Sequence, residues 1–145
     1  MKKHITAFYL ETLVMIAVFI CTILILSHIF GIARSRSAEA KMLTSSVTLV
    51  QNTAEAMASA ATPEGLMALV SEGDNAGFED VGGGRALVLR YDADMTPNPE
   101  GELSITVRWR GENGLVYGDI SASETATQRE IYAVTTAVYT GEVRR

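Results

Sequence analysis

The feature that most constrains this chain is an apolar run that opens at Leu10 and continues to about Ile32. A stretch of roughly 20 apolar residues is long enough to cross a bilayer as a helix. One carboxylate, Glu11, sits at the head of the run. An ionised carboxylate drawn into hydrocarbon costs on the order of 3 kcal/mol. Glu11 therefore either points back to the headgroups or meets a partner inside the membrane.

Lys2 and Lys3 precede the run, as in the basic region of a signal peptide. The apolar segment is too long for a signal peptide, and Glu11 interrupts it, even though Gly31-Ile32-Ala33 places small residues before Arg34. Cys21 follows Val18-Phe19-Ile20, which lacks the small residue of a lipoprotein site. A retained helix is expected over 7–33, with 1–6 as a short basic leader or cytoplasmic tail. The two lysines favour a cytoplasmic N-terminus and an extracytoplasmic remainder. Arg34, Arg36 and Lys41 on the far side pull against that orientation.

Helical character continues past the apolar run. No proline or glycine falls between Arg34 and Ala61. Leu43, Val47, Val50, Ala54, Met57 and Ala61 recur at alternating spacings of four and three, one face of an amphipathic helix. Ser45, Ser46, Thr48, Gln51, Asn52 and Glu55 fall off that stripe. Residues 34–62 are thus expected to be the outer half of one long helix, with the stripe packed on an outer domain. Thr62-Pro63 ends it and starts a short second helix to Ser71, because proline suits a first helical turn.

Residues 63–145 read as an α+β outer domain. Gly73 to Gly84 reads as a loop, and Ala86 to Tyr91 as a short apolar strand. Leu103, Ile105, Val107 and Trp109 alternate with Ser104, Thr106, Arg108 and Arg110, which is the pattern of a half-buried strand. Gly111-Glu112-Asn113-Gly114 turns the chain into a strand over Leu115 to Ser121. Glu130 to Tyr139 is a last strand. About four antiparallel strands with one face buried are expected, covered by the long helix.

The residue inventory narrows the chemistry. All twelve Lys and Arg except Lys2 and Lys3, and all seventeen acids except Glu11, lie at or after Arg34. The outer part is acidic, unlike a nucleic-acid binder. The single cysteine, Cys21, and both histidines, His4 and His28, lie before Arg34, so the outer part has no Ser-His-Asp or Cys-His set. Gly82-Gly83-Gly84 lacks the Lys and Ser or Thr of a phosphate loop. Asp92-Ala93-Asp94 begins like a calcium loop but lacks its glycine and terminal acid, so turn chemistry is the expectation there. No metal or cofactor is expected, and no enzymatic activity.

Phe8-Tyr9-Leu10-Glu11-Thr12-Leu13-Val14-Met15-Ile16-Ala17-Val18-Phe19 resembles the mature N-terminus of type IV pilins and type II secretion pseudopilins. The resemblance implies a basic leader, prepilin peptidase cleavage, and assembly of subunits through apolar helices on a membrane platform. Glu11 would be the assembly glutamate. Placing Glu11 at the family's fifth mature position makes Ala7 the first residue, with Thr6 where glycine normally precedes the cut. Cutting after Ala7 instead makes Phe8 the first residue. The expected protein is a pilin-like minor subunit of a type IV pilus, pseudopilus or DNA-uptake filament, with membrane lipid and other pilin-like subunits as partners. The alternative is a single-pass, membrane-anchored extracytoplasmic binding module in which Glu11 is incidental.

Overall fold

A computed structural model describes residues 2–60, 62–112 and 114–139, with backbone alone for residues 2–7. The chain forms two compact units, Met1–Ala40 and Lys41–Arg145. Helix α1 spans Lys2–Ser59 and contributes to both, and α2 spans Pro63–Val70. Five strands follow: β1 (Ala76–Val81), β2 (Gly84–Tyr91), β3 (Leu103–Glu112), β4 (Leu115–Glu124) and β5 (Glu130–Tyr139). They form one antiparallel meander in the order β1-β2-β3-β4-β5. The architecture is α+β, with the helix packed on the sheet, as expected.

In the first unit, every described side chain of α1 from Phe8 to Ala40 is exposed. A helix that is apolar all round needs an apolar environment of its own. Its hydroxyls do not spoil that character. The Thr12 hydroxyl donates to the Phe8 carbonyl at 2.9 Å, and that of Thr22 donates to Val18 at 2.9 Å. Each is satisfied within its own helix.

In the second unit, the buried face of α1 is rotated from the expected stripe. Val50 and Met57 are buried, Val47 and Ala54 are half-buried, and Ala61 lies outside the described residues. Leu43, in contrast, is 47% exposed. Ser45, Ser46, Leu49 and Thr53 take its place in the interior. The reason is local hydrogen bonding. The Ser46 hydroxyl donates to Met42 O at 2.8 Å, and the Thr53 hydroxyl to Leu49 O at 2.8 Å. With their donors satisfied, these side chains enter the core at little desolvation cost.

Thr62 caps α2, its hydroxyl accepting from the Gly65 N–H at 3.1 Å, and Pro63 occupies the first turn. Leu66 is its buried anchor, while Leu69 is exposed. The sheet has five strands rather than four, because the segment read as a loop contains β1. Its turn has Gly82 at φ +63 and Gly83 at φ +84, the pair of positive values that a two-residue hairpin turn needs. Weak strand residues are held there by their partners. Phe78 lies opposite Leu87 with the Arg85 guanidinium over its ring at 4.0 Å, and Arg90 pairs with Glu79 at 2.7 Å.

The core lies between the helices and one face of the sheet. Val107 stands between Leu87 and Ile120, and Ile105 between Leu89 and Ala122. All six are buried. Trp109, on the same face, lies opposite Gly118. The Met57 thioether presses onto that glycine, so that a Cβ there would lie 2.1 Å from Sδ. A cleft of about 200 Å³, lined by Met57, Ala60, Trp109, Val116 and Val138 among others, lies alongside. Gly118→Ala should be tolerated, because the flexible thioether can swing into that space. Gly118→Val should cost about 1–3 kcal/mol by overpacking. Urea unfolding followed by Trp109 fluorescence checks this, and adding Met57→Ala to the Gly118→Val variant should recover most of the loss.

Candidate assembly site

Glu11 lies one turn into the described part of the apolar helix, beside Phe8 and Tyr9. These two rings meet edge to face, with centroids 6.2 Å apart. Both are exposed, as is every apolar side chain from Leu10 to Ile32. Aromatic side chains at the end of an apolar helix suit the interface between hydrocarbon and headgroups. Among the described residues the Glu11 carboxylate has no hydrogen bond or ion pair, whereas the neighbouring Thr12 hydroxyl donates to the Phe8 carbonyl. The Glu11 side chain is exposed on the helix. Of the candidate processing residues, Phe8 is exposed on the helix. Thr6 and Ala7 have side chains outside the described residues.

Among the described residues one helix is long and apolar enough to cross a membrane, and it lies near the N-terminus. Among its described residues the outer unit carries no comparable run. Its loop between β2 and β3 is organised by Asp92, whose carboxylate accepts from the N–H groups of Asp94 and Thr96, both at 2.9 Å. Asp94 pairs with Lys41 of α1. That hydrogen bond, and the charge behind it, raise the Lys41 pKa. Asp92 and Asp94 are thus engaged in turn and tether chemistry. Burial pushes the Tyr91 phenol up, against the hydrogen bond to Asn75, so the ring sits in the core as a neutral group. Gly82 and Gly83 form the hairpin turn described above.

Two structural glycines owe their role to close approach by another segment of the chain. Gly118 admits Met57, and Gly101 lies against the Tyr91 backbone. Neither has a positive φ, although Gly101 closes the turn Asn98-Pro99-Glu100-Gly101, its N–H donating to the Asn98 carbonyl at 2.9 Å.

Comparison with protein families, with curated proteins and with solved structures finds no match to this chain.

Proposed function

We propose that this chain is a non-enzymatic, pilin-like membrane subunit that assembles laterally through α1. The observation that carries this reading is the lone carboxylate Glu11 at the head of a helix whose apolar side chains are exposed on every side. Such a helix gains nothing from its own chain and is suited to lipid and to neighbouring helices. Glu11 then pairs with the N-terminal amine or another basic group of a neighbour. In hydrocarbon an ion pair is costly to separate, so it selects one stagger between helices. In this reading the N-terminus is cytoplasmic and the β unit extracytoplasmic. A membrane platform supplies or stacks the subunits, and prepilin peptidase trims the chain before Ala7 or Phe8.

Glu11→Leu separates assembly from anchoring. It should leave membrane insertion intact, or improve it, because it removes a costly carboxylate. It should also reduce recovery of partner subunits in crosslinking and co-purification. Equal recovery for wild type and Glu11→Leu at equal membrane levels would assign α1 to anchoring alone.

A further inference from the structure

The basic side chains of this protein divide by whether they have a partner. Lys41, Arg85, Arg90, Arg110 and Arg129 each lie within 4.0 Å of a carboxylate. Arg34 and Arg36 are exposed, and among the described residues they make no ion pair. Glu39, the nearest acid along α1, pairs with neither of them. Their place on the helix is specific. The apolar run ends at Ile32. Arg34 and Arg36 therefore stand about 3 and 6 Å beyond it along the axis. From Leu10 to Ile32 the helical run is about 34 Å long. A hydrocarbon core is roughly 30 Å thick. When the run fills that core, both guanidinium groups reach the level of the lipid phosphates at one boundary. Residues two apart on a helix are separated by about 200° around its axis, so the two side chains leave α1 on opposite sides. Their apolar stems lie along the end of the run while the charged heads stay in the polar layer.

We propose that Arg34 and Arg36 bind anionic phospholipid around the C-terminal end of the apolar run, each guanidinium holding a headgroup phosphate. The proposal rests on the membrane reading of α1 above and adds the class of lipid. A planar guanidinium matches two phosphate oxygens at once, and charge-assisted bonds of this kind are strong. A choline headgroup carries its own cation beside the phosphate. Phosphatidylglycerol leaves the phosphate charge uncompensated, so an arginine without a protein partner favours it. The contact also sets the depth of the helix. Glu11 precedes Arg34 by about 35 Å along the axis. Lipid held at Arg34 and Arg36 therefore places the Glu11 carboxylate at the opposite boundary of the core.

The test uses the full chain in phosphatidylcholine vesicles that contain a trace of spin-labelled phosphatidylglycerol or spin-labelled phosphatidylcholine. Electron spin resonance gives the fraction of each probe immobilised at the protein, and their ratio is the lipid preference. The wild type should prefer phosphatidylglycerol at low salt. Arg34→Gln combined with Arg36→Gln should lower that preference by roughly half or more, less than the local effect of each basic group because the signal averages over all lipids around the helix. Glutamine preserves the helix, and Lys2 and Lys3 contribute equally to both proteins. Wild type and double variant should converge in about 1 M salt, where the Debye length falls to about 3 Å. Arg108, exposed on β3, also makes no ion pair among the described residues. Arg108→Gln should leave the preference unchanged, and so should inorganic phosphate added at matched ionic strength. Trp109 emission confirms that each variant is folded. Equal preference in wild type and double variant would overturn the proposal. So would loss of the preference in Arg108→Gln, which would make net charge the cause, or with inorganic phosphate, which would make free phosphate the ligand. Vesicle flotation separates this proposal from the membrane reading. Wild type that does not float with the vesicles overturns both, whereas wild type that floats without a lipid preference overturns only the lipid assignment.

Discussion

Val50→Asp is expected to unfold the Lys41–Arg145 unit or to leave it barely stable, while Leu43→Asp leaves it intact. Val50 is fully buried in the cluster that includes Leu87, Leu89 and Ile105. A carboxylate there would lose water without gaining a partner, at about 3–5 kcal/mol. That is a large share of the roughly 5–15 kcal/mol that holds a small domain together. Leu43 lies on the same helix but faces solvent, so its replacement should stay within about 0.5 kcal/mol. Val47, half-buried, should fall between them. The experiment is urea unfolding of the full chain in detergent. Trp109 is the only tryptophan and lies on the core face, so its emission reports this unit. Similar midpoints for the Val50 and Leu43 variants would contradict the packing.

Gly101→Ala should cost about 3 kcal/mol or more, although it adds a single methyl group. A Cβ at this position would lie 2.1 Å from the Tyr91 carbonyl oxygen and 2.3 Å from its carbon. Unlike the Met57 thioether over Gly118, this neighbour is backbone and cannot swing aside. The surrounding chain is also pinned. The Gly101 N–H donates to Asn98 O at 2.9 Å, and the Thr125 hydroxyl donates to Gly101 O at 2.8 Å. Asn98 in turn donates its N–H to Arg90 O at 3.1 Å. Making room for the methyl group must separate the loop from the end of β2 and disturb Tyr91 and Leu103, which are paired across β2 and β3. The expected result is a midpoint well below that of Gly118→Ala in the same urea assay. Equal stability of Gly101→Ala and wild type would exclude the close approach.

The elements that were legible in the sequence are those with strong local signals. The apolar run, the helix that continues from it, the Thr62 cap with Pro63, and the strand over Leu103 to Trp109 all appear where expected, although Ser104 and Thr106 are buried along with their apolar neighbours. β1 was not legible. Ala76 to Val81 has a glycine and two acids and no apolar alternation. It becomes a strand because a tight turn returns β2 alongside it and supplies Leu87, Arg85 and Arg90 as partners. Such pairing overrides weak strand propensity. Glu11 was legible as a misfit, since a carboxylate heading an apolar run contradicts its surroundings.

By itself the sequence determined that one segment is apolar on every side of a helix, that helical order persists beyond it, and that alternating strands follow. These are consequences of side-chain periodicity, which acts over a few residues. Only the tertiary structure decided which face of the helix is buried and which glycines are indispensable. Ser46 and Thr53 are polar by type, yet they enter the core because their hydroxyls bond to their own helix. Gly101 and Gly118 are ordinary in backbone conformation, yet another part of the chain occupies the space where a side chain would stand. Burial and close approach arise between segments distant along the chain, so no local pattern of residues encodes them.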